Sequence, residues 1–139
     1  MPDKYVLSVD GACSGKRAAC AAVLLTNGGV VRECSRNLPE VDGYVLAAEI
    51  AGVALANELV GGEGTPFDLS IEIDNPDVPR VIEQSYHPKQ FCRIPKAILE
   101  AAIGFCHMHN TRFCVMPRNS TRGLRRADHL ASKRLWRKL

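Results

Sequence analysis

Residues 5–15 read YVLSVDGACSG and predict a core strand that carries a carboxylate. Side chains alternate in character from Tyr5 to Asp10, which is typical of a half-buried strand. The small residues that follow, through Gly15, predict that the strand ends at Asp10 and gives way to a loop. A carboxylate at the end of a core strand is costly to bury unless a positive charge lies against it. Asp10 is therefore a candidate metal ligand.

Two later carboxylates stand in similarly apolar surroundings. Residues 69–74 (LSIEID) repeat the opening pattern, an alternating strand that ends on Asp74. Residues 45–60 (VLAAEIAGVALANELV) have the composition of a buried helix, and Glu49 is the only charged residue between positions 44 and 57. The residues one turn away from Glu49 are apolar or glycine, so the helix offers this carboxylate no polar face. We expect both acids to belong to a functional site rather than to the solvent-exposed surface.

The C-terminal segment 124–139 predicts an amphipathic helix with one acid on its inner side. Its apolar stripe consists of Leu124, Ala127, Ala131 and Leu135. Asp128 lies at the edge of that stripe, while arginines and lysines take most other positions. Residues 112–139 carry nine basic residues against one acid, a net charge of +8, and residues 1–111 carry nine against 14, a net charge of −5. This asymmetry favours a polyanionic partner at the C-terminal end.

The chain predicts the element order β-β-β-α-β-α-α-β-α. The sequence Asn27-Gly28-Gly29 is a hairpin signal between strands at 19–26 and 30–38, so the first three strands form an antiparallel meander. A right-handed crossover through the first helix makes strands one, four and five parallel. Ligands of open α/β sheets bind beyond the carboxyl ends of such strands. The fold class is therefore α/β, with the acids gathered at one edge of the sheet.

Length and composition restrict the class of protein. With 139 residues, 46% apolar and 24% charged, the chain is expected to form a single domain over 1–139. It has no apolar run long enough for a membrane span, and MPDKYVL does not resemble a signal peptide, so we expect a cytoplasmic protein. The six cysteines form no CxxC pair and are expected to be free. A zinc site at Cys106-His107-Met108-His109 with Cys114 is the alternative, which the unpaired spacing disfavours.

The four acids and their surroundings resemble the type 1 ribonuclease H family. The matching segments are Val9–Cys13 (VDGAC), Ala47–Glu49 (AAE), Ile73–Asn75 (IDN) and Ala127–Ala131 (ADHLA). The likeness runs from about residue 5 to 136. It implies a ribonuclease H-like fold, a five-stranded mixed sheet of order 3-2-1-4-5 with strand two antiparallel, flanked by helices. It also implies endonucleolytic cutting of the RNA strand of an RNA–DNA hybrid, and we expect a monomer.

The resemblance further implies two Mg²⁺ (or Mn²⁺) ions held by Asp10, Glu49, Asp74 and Asp128. Hard oxygen ligands suit these ions, and four adjacent carboxylates repel one another unless a cation lies between them. By the same resemblance Asp10 bridges both ions, Asp74 and Glu49 serve the side of the nucleophile or scissile phosphate, and Asp128 serves the other ion. The positions implied for substrate binding are Gly11, Ala12, Cys13, Lys16, Asn75, Arg118, Asn119 and Thr121.

The sequence also bears on interpretations other than a ribonuclease H. Bacterial members of the family carry a histidine in the loop before the fourth acid, whereas residues 117–126 (PRNSTRGLRR) contain none. That departure keeps open a module that retains the fold and binds nucleic acid or a protein partner without cutting. Ala12 stands where proofreading-type exonucleases need a second acid, and DGACSG does not match the Asp-x-Gly-Thr loop of sugar kinases and actin-like ATPases. Scattered, unrelated acids are disfavoured by the apolar helix around Glu49.

Overall fold

The computed structural model of the protein describes residues 4–27, 29–60, 66, 68–84 and 91–136. Its strands are β1 (Tyr5–Ser14), β2 (Arg17–Thr26), β3 (Gly29–Asn37), β4 (Asp68–Ile73) and β5 (Asn110–Val115). Its helices are α1 (Val45–Leu55), α2 (Asp77–Gln84), α3 (Lys96–Met108) and α4 (Arg122–Leu135), with short 3₁₀ turns at Ala56–Glu58 and Phe91–Arg93. The predicted element order is confirmed.

The five strands form one mixed sheet in the order β3-β2-β1-β4-β5. β2 pairs antiparallel with both β1 and β3, whereas β4 pairs parallel with both β1 and β5. This is the predicted α/β class and strand order. The hairpin between β2 and β3 turns at Asn27, whose φ of 53° lies in the left-handed region that asparagine tolerates.

Each face of the sheet is covered by a different set of helices. Leu7 and Val9 of β1 belong to the main core, which α1, α2 and α3 complete. On the other face, α4 packs its Ala127 and Ala131 on small and branched residues of β2. Since side chains alternate along a strand, Asp10 points to the face that α4 covers. Among the described helices, none is long and apolar enough to span a membrane.

Asp10 lies inside β1, so the predicted end of the strand at Asp10 is wrong. β1 continues to Ser14 because β2 pairs with it over its whole length, as far as the Ser14–Arg17 pair. The parallel pairing with β4 covers only Tyr5 to Ser8. Asp10 therefore lies just past the parallel ladder, and the register places it level with Asp74, the residue after β4.

Two predicted helices extend beyond what the structure describes. The second helix was expected at 79–86 and is observed as α2 up to residue 84, while positions 85–90 lie outside the described residues. The last helix was expected at 124–139, and α4 begins two residues earlier and ends at Leu135, with 137–139 outside the described residues. The first helix is shorter than expected, because α1 gives way to a 3₁₀ turn after Leu55.

Candidate metal centre

Three of the four predicted acids converge at the edge of the sheet. Asp10 from β1, Glu49 from α1 and Asp74 after β4 each offer a carboxylate oxygen, and these atoms lie within 4.8 Å of one another. Asp10 is 7% exposed and Glu49 is 4% exposed. In the part of the chain that the structure describes, no other group of three or more acidic, histidine or cysteine side chains converges in this way.

The fourth acid, Asp128, lies beside this trio on the side of α4. Its carboxyl group lies near enough to that of Asp10 to raise the pKa of Asp10. The Asp128 side chain is 28% exposed, and a guanidinium nitrogen of Arg118 lies 3.8 Å from its Oδ1. Asp128 thus adjoins Asp10 but does not belong to the group of three acids whose oxygens lie within 4.8 Å of one another.

The acids strongly affect one another's protonation. Burial, the charge of Asp74 and the neighbouring carboxyl group of Asp128 raise the pKa of Asp10 to about 7, although the Gly11 N–H, 3.0 Å from Oδ1, opposes this. Burial and the charges of Asp74 and Asp10 raise the pKa of Glu49 to about 9. Both groups therefore hold protons to unusually high pH unless a cation supplies positive charge.

The donor set fits a hard divalent cation. Glu49 Oε2 is fully buried and has no hydrogen-bond partner among the described residues, although buried carboxylate oxygens are normally paired. A cation held by Asp10, Glu49 and Asp74 would pair this oxygen and remove the repulsion among the acids. Clustered carboxylate oxygens without sulfur or imidazole are typical of Mg²⁺ and Mn²⁺ sites rather than of zinc sites.

Glu49 reaches the centre because α1 lies almost in contact with β1. A Cβ atom on Gly11 would lie 2.7 Å from the backbone nitrogen of Glu49 and 2.8 Å from the carbonyl carbon of Ala48. About one turn after Glu49, an ideal Cβ atom on Gly52 would lie 3.2 Å from Cβ of Val9 and 3.3 Å from the backbone oxygen of Ala21. Glycine at position 11 is therefore what lets the helix backbone approach the strand.

A polar network that the sequence did not predict fixes the start of α4. The Ser8 and Thr121 hydroxyls both donate to Glu72 Oε1, at 2.7 and 2.8 Å. Thr121 Oγ1 also accepts from the Leu124 N–H at 3.1 Å and so caps α4. A side chain on Gly123 would overlap the Ser8 hydroxyl. The alternation of LSIEID, which puts Glu72 on the face of Asp74, is the sequence signal that could have identified it.

The predicted substrate positions on β1 line the side of the cluster. Gly11 and Ala12 are half-buried, and Ala12 packs against the apolar residues between α4 and β2. Burial and the nearby charge of Glu49 raise the pKa of the Cys13 thiol, which places Cys13 beside the acids. Lys16 is exposed in the turn between β1 and β2.

The other predicted substrate positions border the cluster from two loops. Asn75 lies near Glu49 and lowers the pKa of that carboxyl, and its Oδ1 accepts from the Asp77 N–H at 2.9 Å, so it links the cluster to the start of α2. Arg118 and Asn119 are exposed, and Asn119 adopts a φ of 55° in the turn before α4. Thr121 differs from them, because its hydroxyl proton is already donated to Glu72.

The alternative zinc site at residues 106–114 receives no support from the described residues. All six cysteines are free thiols, and burial raises the pKa of Cys106 to about 11, which disfavours the thiolate that zinc requires. The His109 ring packs against Phe105, with the ring centroids 4.8 Å apart. These side chains belong to the packing of α3 against β5.

The chain is similar to known proteins in its three-dimensional structure but not detectably in its sequence. No protein-family model and no curated protein matches the sequence. Ribonuclease H1 from the halophilic archaeon Halobacterium salinarum superposes with a TM-score of 0.77 at 21% identity, covering 95% of this chain and 97% of that one. The N-terminal ribonuclease H domain of a Mycobacterium tuberculosis protein, solved as a fusion with maltose-binding protein, gives 0.73 at 19% identity over 96% and 94%.

A third similar structure contains a nucleic acid. It is LC11 ribonuclease H1, from a compost metagenome, in complex with an RNA/DNA hybrid. It superposes with a TM-score of 0.75 at 17% identity over 94% of this chain and 96% of that one. All three similarities extend over nearly the whole of both chains, so the element order, the sheet and the helices on its two faces coincide. The chain has the ribonuclease H fold.

Proposed function

We propose that the protein is a metal-dependent endoribonuclease that hydrolyses the RNA strand of RNA–DNA hybrids with two Mg²⁺ (or Mn²⁺) ions. The observation that carries this proposal is the convergence of Asp10, Glu49 and Asp74, together with a buried oxygen of Glu49 that has no hydrogen-bond partner among the described residues. A module that only binds gains no stability from such a cluster, because buried like charges oppose folding. The ribonuclease H fold supports the same reaction class.

The roles proposed for the acids follow from their positions. Asp10 is near Glu49 and Asp74 and also near Asp128, so it would be the acid able to contribute to both ions. Bound divalent ions would lower the pKa of an attacking water and stabilise the leaving oxygen of a phosphodiester. Glu49 and Asp74 would help to hold one ion, and the more exposed Asp128 would help to hold the other.

The substrate is proposed to lie over the exposed rim of this cluster. Lys16 and Arg118 supply positive charge for phosphates, and Asn75 and Asn119 supply amide groups near the reacting phosphate. Hybrid duplexes are gripped through phosphates and 2′-hydroxyls in a wide minor groove rather than by base readout. Phosphate contacts predict that binding weakens as salt rises. The hybrid complex of LC11 ribonuclease H1 supports this choice of substrate.

The test is a cleavage assay with four end-labelled substrates: hybrid, duplex RNA, duplex DNA and single strands, each in Mg²⁺ and in Mn²⁺. We expect the wild type to cut the RNA strand of the hybrid internally. Asp10→Asn and Asp74→Asn are expected to lower the rate by about three orders of magnitude, a loss of about 4 kcal/mol of transition-state stabilisation. Asp68→Asn, an exposed aspartate on β4, is the matched control and is expected to cut normally.

The absence of a histidine between positions 117 and 126 favours one alternative, a module that binds without cutting. Tight, salt-sensitive binding of the hybrid with no cleavage in either metal would select that module. Cleavage that is the same in the wild type, Asp10→Asn and Asp74→Asn would show a contaminating nuclease and reject the proposed site.

A further inference from the structure

The end of α4 presents an exposed aromatic side chain that the proposed metal centre does not use. Trp136, the only tryptophan of the chain, follows the last turn of α4 and is 63% exposed. Tryptophan is large and apolar, and exposed tryptophans are enriched where proteins contact partners. Met108 is equally exposed, at 60%, but it lies at the end of α3, on the opposite layer of the sheet.

A cation covers one side of the Trp136 ring. The guanidinium carbon of Arg17 lies 5.6 Å from the ring centroid, within the range of a cation–π contact. Arg17 Nη1 also lies 3.5 Å from the carbonyl oxygen of Leu135, so the contact joins the start of β2 to the end of α4. Lys16 is the next residue in the turn and is exposed. An indole face and a guanidinium group thus share one small surface, and a second cation precedes Arg17 in the chain.

This surface lies on the side of the molecule that carries the acids. Trp136 follows Asp128 by eight residues, which is about 12 Å along a helix and about 80° around it. From Asp10 to Ser14, β1 runs about 13 Å towards the same turn. Both elements therefore lead from the acid cluster to the pair Arg17–Trp136. The distance matches the rise of about three to four base pairs of a duplex.

We propose that Arg17 and Trp136 form a second contact for the nucleic acid, about three to four base pairs from the reacting phosphate. The proposal deepens the function proposed above and rests on it. Arg17 and Lys16 pair with phosphates of the hybrid, and the open face of the indole packs against the sugars and bases of the same strand. Aromatic and arginine side chains are the groups that proteins use for sequence-tolerant nucleic-acid contacts.

Because Trp136 is the only tryptophan, its fluorescence reports on this surface alone. A hybrid is titrated into the wild type in Ca²⁺, a gel checks that the RNA strand stays intact, and anisotropy of a labelled hybrid measures total binding in parallel. We expect saturable quenching of Trp136 emission with the same midpoint as the anisotropy. Hybrids too short to extend three base pairs beyond the cut are expected to bind without quenching.

Variants separate this contact from the metal centre. Trp136→Ala is expected to weaken hybrid binding by about five- to tenfold, since base–aromatic contacts are worth about 1–3 kcal/mol. Trp136→Phe is expected to retain most of the affinity, and Arg17→Gln to reduce the salt dependence by about one phosphate contact. Met108→Ala is the control for loss of an exposed apolar side chain and is expected to bind as the wild type. Thermal unfolding checks that each variant is folded.

The outcomes distinguish this proposal from the proposed function. Hybrid binding with unchanged Trp136 emission, or normal binding by Trp136→Ala, would overturn the second contact and leave the proposed nuclease intact. Quenching and weakened binding by the variants, without any cleavage by the wild type, would support the contact and reject the nuclease. A wild type that binds no hybrid in anisotropy would overturn both.

Discussion

The helices α1 and α4 each bring one acid to the cluster, but they are held in place by different forces. α1 is apolar on all sides, and its backbone lies against β1 at Gly11. α4 is amphipathic, packs a narrow stripe of alanines on the sheet, and is tied to it by polar contacts. The bidentate pair of Arg126 with Glu33, at 2.6 and 2.8 Å, is one of these contacts. Glu49, the inner acid, therefore depends on core packing, and Asp128, the outer acid, depends on surface hydrogen bonds.

The largest expected effect is on the packing that holds the inner acid. Gly11→Ala forces a methyl group against the backbone of α1 and is expected to lower the free energy of unfolding by about 3 kcal/mol. Gly104→Ala is the matched control, because the ideal Cβ at this position in α3 has no neighbour within 4 Å, and it is expected to stabilise by about 0.5–1 kcal/mol. Urea unfolding measures both. A destabilisation by Gly11→Ala below about 1 kcal/mol would contradict the close contact.

The next effect distinguishes Glu49 from Asp128 by how the free energy of unfolding depends on pH. The pKa of Glu49 is raised from 4.5 to about 9, so the folded chain keeps a proton that the unfolded chain releases. Without metal, the free energy of unfolding is therefore expected to fall as pH rises from about 5 to about 9. Glu49→Gln removes the contribution of Glu49 to that slope, leaves the contribution of Asp10, and is expected to stabilise the metal-free protein by about 2 kcal/mol at pH 8. Asp128→Asn, at a more exposed site, is expected to change the free energy of unfolding by less.

Thermal unfolding in EDTA across this pH range measures the difference. Adding Mg²⁺ is expected to raise the unfolding temperature of the wild type, and more so at high pH, because the ion binds the ionised acids. A Glu49→Gln variant that is less stable than the wild type at pH 8 without metal would contradict the strained, unpaired state of this carboxylate.

The smallest effect concerns the network that fixes the start of α4. Thr121→Ala removes the helix cap and one partner of Glu72, and is expected to cost about 1 kcal/mol of stability. It is also expected to weaken Mn²⁺ binding a few-fold, because Asp128 lies on the same helix about two turns after this cap. Thr121→Ser keeps the hydroxyl and is expected to restore both quantities. Unchanged Mn²⁺ affinity in Thr121→Ala would show that the network stabilises the fold but does not affect metal binding.

The element order could be predicted from the sequence because each element rests on a local pattern, whereas the strand order was implied by the resemblance to the ribonuclease H family. The role of the four acids as metal ligands stays a prediction. Alternation marks β1 and β4, and a lone acid in an apolar helix marks Glu49. The end of β1 was placed too early, since its continuation depends on pairing with β2 rather than on its own residues. Glu72 escaped notice for a related reason, because its partners Ser8 and Thr121 are 64 and 49 residues away.

The central claim is that Asp10, Glu49 and Asp74 form a metal centre, and counting bound ions tests it most directly. Isothermal titration calorimetry with Mn²⁺ measures the number and affinity of ions for the wild type, Asp10→Asn and the control Asp68→Asn. We predict saturable binding by the wild type and the control, and its loss or a weakening of at least about tenfold in Asp10→Asn. Equal Mn²⁺ binding by all three proteins would contradict the account.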